Sequence, residues 1–308
     1  MTRVTDFARS QALLAQLQAL KGSSFVTERQ VASGKKAQYY KDISKDTGVL
    51  LSAKALDARI KQFQKTGDLV SSRIELQNVQ LQSLADSAGE LRQSVLDAVS
   101  LGKGIGFMAK ITQLFESSVG ILNSKVDGKY IYAGTRSDTP PVNISSISDL
   151  VATPAVANVF DNNTLKLSAR LDESLVVEYG VTASDVATDL FDSIKRIADY
   201  DANPATGPFQ GDLTPAQSAF LQGEMPNLIA AADKLTSVVA ENGSKHDQVK
   251  TAIDRQDSTS NYVTNFISDI EDVNIAEAIT RLNQDQTATQ ATMRMLSTLN
   301  KLSLLDFL

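Results

Sequence analysis

The sequence predicts a mainly α fold: a long antiparallel coiled-coil or helical-bundle rod formed by both chain ends, with a small α+β insert in the middle. Three observations predict it. All seven prolines (Pro140, Pro141, Pro154, Pro204, Pro208, Pro215 and Pro226) fall between positions 140 and 226, so neither end carries the residue that breaks helices. Apolar residues over 56–98 recur in steps of four and three, the spacing of a coiled-coil seam. In the middle the apolar period shifts to two, the spacing of strands.

Residues 4–33 read as a helix, with Phe7, Leu13, Leu14, Leu17 and Leu20 recurring at intervals of three and four and Gly22-Ser23-Ser24 as a candidate interruption. Ser33-Gly34 ends it, and 35–50 is a polar connection bearing Tyr39 and Tyr40. Leu56, Ile60, Phe63, Val70, Ile74, Leu81, Leu84, Ala88, Leu91, Val95 and Ala98 then keep one heptad register, with only Gly67 and Gln77 occupying seam positions poorly. Gly102-Lys103-Gly104-Ile105-Gly106 has the glycines of a phosphate loop. It lacks the preceding strand and the Gly-Lys-Ser/Thr ending, so a helix break is the better reading. The next helix carries Phe107, Ile111, Leu114, Phe115, Leu122 and Val126.

In the middle, Leu165, Leu167, Ala169 and Leu171 alternate with polar residues. Leu175, Val177 and Tyr179 do so again after Asp172-Glu173-Ser174, which predicts a hairpin. Val156 to Phe160 reads as a further strand. Thr182-Ala183-Ser184-Asp185 opens a helix with Val186, Leu190, Ile194 and Ile197 on one face, and 203–208 is a loop. Thr214-Pro215 starts a helix whose seam runs through Leu221, Met225, Leu228, Leu235 and Val239 to a stop at Asn242-Gly243. A second run carries Val249, Ile253, Val263, Ile267 and Ile270. The last helix starts near Asn274 and carries Ile275, Ile279, Leu282, Met293 and Leu296. The expected organisation is a terminal helix and connection (1–50), rod helices (51–139), an α+β insert (140–213), rod helices (214–272) and a terminal helix (273–308).

Composition removes most chemistry. The 308 residues include no Cys, no Trp and one His, which excludes disulfides, thiolate nucleophiles and Cys/His zinc sites. His246 lies in a polar stretch read as a solvated helix start. Asp172/Glu173 and Glu271/Asp272 resemble turn and helix-cap residues more than metal ligands, which converge from several elements. No motif demands a cofactor, metal or catalytic residue. A net charge of -6 argues against nucleic acid, and no apolar run nears the roughly 18 residues of a membrane span. Arg3, Asp6 and Arg9 before a stretch broken by Gln16 and Gln18 do not form a cleaved secretory signal. An interaction protein remains. Its terminal helices, rich in Gln, Thr and Ala, are marginal alone in water and need partner helices.

Two helical ends that must meet around a variable middle resemble the flagellin superfamily of bacterial flagella. Gly128-Lys129-Tyr130-Ile131-Tyr132-Ala133-Gly134-Thr135, closed by Pro140-Pro141, is similar to a G-x-Y-x-F-x-G-T-x-x-x-x-P-P signature of its hook–filament junction branch, the third hook-associated proteins. Residues 269–278 resemble the segment opening the last helix across the superfamily, and 302–308 resemble the Leu-Ser-Leu-Leu-aspartate-aromatic-Leu ending of the junction branch. Ser33-Gly34-Lys35-Lys36 fits the family's Ser-Gly-basic element, whereas 37–42 replaces the usual continuation.

The resemblance implies a structural adaptor without catalysis or cofactor, which joins the hook, through the neighbouring hook-associated protein, to the flagellin filament. The chain would form a ring with copies of itself. Its implied partners are that neighbour, flagellin, an export chaperone and the flagellar type III export apparatus, with no nucleic acid and no membrane insertion. Its implied location is extracellular, at the hook–filament junction, after export without a cleaved signal. The expected assembly interface is Phe7, Leu13, Leu17, Leu20, Ile279, Leu282, Met293, Leu296 and Leu299. The family motif residues are Gly128, Tyr130, Tyr132, Gly134, Pro140 and Pro141. Flagellin itself, a cytosolic coiled-coil scaffold, and a hydrolase hidden in 143–225 are the alternatives. The last lacks any His or Cys in that stretch.

Overall fold

A computed structural model describes the backbone of residues 2–305 and the side chains of residues 8–298. The described chain is mainly α, as the seams predict. Its helices are α1 (Thr2–Ser33), α2 (Thr47–Leu101), α3 (Phe107–Leu122), α4 (Ile147–Ala152), α5 (Ala183–Ala202), α6 (Pro215–Glu271) and α7 (Ile275–Leu305). Two antiparallel hairpins complete it: β1 (Lys125–Val126) with β2 (Lys129–Tyr130), and β3 (Leu167–Arg170) with β4 (Val176–Tyr179). The residues divide into two compact units, Met1–Arg59 with Ser258–Leu308, and Ile60–Asp257.

In the first unit α1 packs on α7. Gly34 ends α1 in the left-handed conformation (φ 71°), its N–H returning to Gln30 O at 2.8 Å. Gly22-Ser23-Ser24 does not interrupt α1. Gly22 is exposed and costs the helix only about 1 kcal/mol, while Ser24 lies half-buried facing α7. Asn274 caps α7, its Oδ1 accepting from Ala276 N at 3.1 Å and Glu277 N at 3.2 Å.

In the second unit the α2 seam from Leu81 to Ala98 is buried with faces of α3, α5 and α6 in one large apolar cluster. Phe115 and Phe191 meet in it with ring centroids 5.0 Å apart. Thr214 and Gln217 form a reciprocal capping box at the start of α6. Gln217 N donates to Thr214 Oγ1 at 3.2 Å, and Thr214 N to Gln217 Oε1 at 2.9 Å. The Gly102–Gly106 break is a turn, with Gly102 and Gly106 at positive φ, and it follows the helix α2 directly. The expected hairpin forms as β3–β4, pairing Leu167 with Tyr179 and Ala169 with Val177, although Leu165 stays outside it.

Four expectations are corrected. Val156–Val159 is a 3₁₀ turn, and only Phe160 pairs, with Val142. Val156 and Val159, three apart, are both buried, as one turn of 3₁₀ helix with three residues per turn places them on the same side. The helix carrying Phe107 ends at Leu122, and Val126 lies in β1. There Asn123 turns its amide onto Val142, donating to its carbonyl at 2.9 Å and accepting from its N–H at 3.0 Å. Asn242-Gly243 does not stop α6, which runs unbroken for 57 residues. Asn242 is 1% exposed and spends its amide on Ile74 O of α2, so it does not compete for its own backbone. His246 is consequently mid-helix and half-buried, with Nε2 3.1 Å from Ser71 Oγ.

Candidate functional site

The α1–α7 pair has a legible seam. On α1 the more covered positions are Leu13, Leu17, Leu20, Ser24, Thr27 and Val31, in alternating steps of four and three. On α7 they are Ala278, Leu282, Asp285, Thr289, Thr292 and Leu296, in the same steps. The centre of this seam is small and polar, so it buries little apolar surface and contributes little stability. Larger apolar side chains face outward: Phe25 is 59% exposed and Met295 58%.

The residues expected at the interface therefore separate into two groups. Leu13, Leu17, Leu20, Leu282 and Leu296 lie half-buried in the seam. Ile279 and Met293 lie on exposed faces, at 43% and 45%. The side chains of Phe7 and Leu299 lie outside the described residues, as does the 302–308 ending.

Where α1 meets the start of α7, four charged side chains form a clasp that the sequence reading missed. Lys35 Nζ lies 2.6 Å from Asp272 and 3.5 Å from Glu271, and Lys54 Nζ lies 2.8 Å from Glu271. The backbones join the same node, Lys36 N donating to Glu271 O at 2.7 Å and Val273 N to Gly34 O at 3.0 Å. Lys36 Nζ also donates to Asp269 O. Glu271 and Asp272 are thus ion-pair partners and not only helix-end residues.

The Lys54 hydrogen bond holds the Glu271 carboxyl below the usual carboxylate range, and those from Lys35 and then Ser268 do the same for Asp272. Asp272 raises Lys35, and Glu271 raises Lys54. Groups lowered on folding stabilise above their unfolded pKa and lose that contribution as pH falls through the folded value; raised lysines lose theirs as pH climbs through theirs. The clasp is therefore whole at neutral pH and opens in acid. The amide resonances of Lys36 and Val273 are expected to shift together below about pH 4. In Glu271→Gln/Asp272→Asn that transition should vanish, and an unchanged titration in the double variant would mean the clasp does not tie these strands.

The motif residues build a packed corner in the second unit. Asp127 (φ 51°) and Gly128 (φ 77°) turn the β1–β2 hairpin, and Lys125 Nζ sits 4.5 Å above the Tyr130 ring. Tyr132 is fully buried, its phenol pushed well above the usual value by burial, and its carbonyl accepts from Ala183 N at 2.9 Å. Gly134 (φ 65°) lies against Asn163, whose Oδ1 accepts from Thr135 N at 3.0 Å. Pro140 is half-buried and Pro141 buried, the Pro141 carbonyl accepting from Asp161 N.

The Ser71–His246 contact is the nearest approach to a nucleophile and base. Both residues sit mid-helix, where backbone N–H groups are consumed by i→i−4 bonds and none is free to hold an oxyanion. Among the described residues no three His, Asp or Glu side chains are grouped to hold a metal, and no helix is long and apolar enough to cross a membrane.

Residues 226–308 match the bacterial flagellin C-terminal helical region. No curated protein matches the chain by sequence. Among solved structures, a Vibrio parahaemolyticus chain described as a flagellar hook-associated protein is similar at TM-score 0.62 and 16% identity, over 75% of this chain and 100% of that one. FlgL of Bacillus cereus is similar at 0.56 and 13%, over 71% and 99%. FlgL of Xanthomonas campestris is similar at 0.54 and 12%, over 69% and 98%. The sequence likeness to flagellin thus lies in the C-terminal helical region of the chain. The fold of the chain is that of the flagellar hook-associated proteins.

Proposed function

We propose that this chain is a structural adaptor at the hook–filament junction of the bacterial flagellum, without catalysis or cofactor. It assembles with copies of itself through α1 and α7, meets the neighbouring hook-associated protein on one side and flagellin on the other, and is exported through the flagellar type III apparatus without a cleaved signal. The observation that carries this reading is the α1–α7 pair, with a weak polar seam inside and large apolar side chains outside. A pair that leaves Phe25 and Met295 in water gains when another helix covers them. The likeness to hook-associated structures favours the adaptor over flagellin, with which the C-terminal region is shared. Labelled antibody on intact cells tests it. A narrow band at the distal end of the hook is expected; staining along the filament would make the chain a flagellin, and staining confined to the cytosol would make it a scaffold.

A further inference from the structure

The seam between α2 and α6 in the second unit is not continuous. On one side lies the large cluster, holding Leu81 and Leu84 of α2 and Leu228 and Leu235 of α6. On the other lies a small, separate cluster made by Val70 and Ile74 of α2, Val249 and Ala252 of α6, and Leu171, Val177 and Tyr179 of the β3–β4 hairpin region. Between them the seam positions are polar. Gln77 of α2 is 0% exposed and Asn242 of α6 is 1% exposed.

The two amides hold the layer together through backbone. Asn242 Nδ2 donates to Ile74 O at 3.0 Å, and Gln77 Nε2 to Ile131 O at 3.1 Å. Each then leaves its own carbonyl oxygen, Asn242 Oδ1 and Gln77 Oε1, buried with no hydrogen-bond partner among the described residues. Polar residues at seam positions fix register at a cost in stability, and an unpartnered buried acceptor adds its desolvation cost. Apolar contact therefore does not propagate across the layer, although α2 and α6 run through it without a break. The hairpin has four residues per strand and pairs only within itself, so its persistence depends on the small cluster.

We propose that the Gln77–Asn242 layer divides the second unit into two cooperative parts, so that the cluster carrying the β3–β4 hairpin opens by itself while the large cluster stays closed. The device is independent of the adaptor reading. It gives this unit a built-in joint, with register kept by two side-chain amides and cohesion withheld by their unpartnered oxygens.

Native-state hydrogen exchange on the full chain tests it. In the unaltered protein, hairpin amides of residues 167–170 and 176–179 are expected to exchange through a common opening at least about tenfold more populated than that of α5 residues 186–194. Uniform protection across both groups would overturn the proposal. Gln77→Leu with Asn242→Leu makes the seam apolar throughout and is expected to close the gap; a gap that survives in the folded double variant would also overturn it. Val177→Ala leaves the layer intact and keeps the test decisive if the double variant does not fold. It should raise hairpin opening by about tenfold and leave α5 unchanged. Equal acceleration of α5 would show one cooperative unit, against the proposal.

Discussion

Gly134→Ala is expected to lower the unfolding free energy by about 2–4 kcal/mol, measured by urea denaturation. Two penalties add. The backbone stands at φ 65°, where an alanine is strained. A Cβ there would also lie 2.8 Å from Leu165 O and 2.9 Å from Asn163 O, both backbone atoms that cannot swing aside. Relief by backbone shift would break the contacts from Thr135 N and from Asn163 Nδ2 to Thr135 that staple this corner. Gly128→Ala provides the contrast. It has positive φ but open space around the missing Cβ, so its cost is strain alone, about 1 kcal/mol. Equal losses at the two glycines would refute the steric half of the argument.

That corner also shows what the sequence could and could not tell. Gly134 was legible as part of a motif, but its neighbours Asn163 and Leu165 lie across a loop whose path no local pattern encodes. The seam was legible from Ile60 to Ala98 because one strict period ran for many turns and the packing it implies needs no distant information; Leu56, 42% exposed, lies outside it. The β3–β4 hairpin was legible for the same reason, at period two. Asn242-Gly243 misled because local stop signals express only what the backbone prefers in water; burying Asn242 against Ile74 reversed that preference. Val156–Phe160 misled because a short apolar run fits a buried turn as well as a strand. The clasp was invisible for a plainer reason: Lys35 and Asp272 are 237 positions apart. Their juxtaposition exists only once α1 and α7 have paired.

The terminal pair sets up the other large effect. Leu282→Asp with Leu296→Asp should remove about 2–4 kcal/mol of burial from a seam with few apolar layers. Charged groups at both places would also face α1 without a partner. Such a variant is expected to keep the second unit folded, with an unchanged urea midpoint for that unit, and to lose helicity from α1 and α7 by far-UV circular dichroism. Under the adaptor role proposed above, cells relying on it should carry hooks without filaments and release flagellin into the medium. Ile279→Asp with Met293→Asp separates two roles that the leucine variant joins. These side chains are exposed at 43% and 45%, so the charge costs the isolated pair little, and circular dichroism should match that of the unaltered chain. If the outward apolar side chains are where another helix docks, filaments should nonetheless be lost. Normal filaments on this second variant would confine assembly to the seam. Normal filaments on both would remove these four side chains from assembly and leave Met295, 58% exposed, as the apolar contact of α7 to test next.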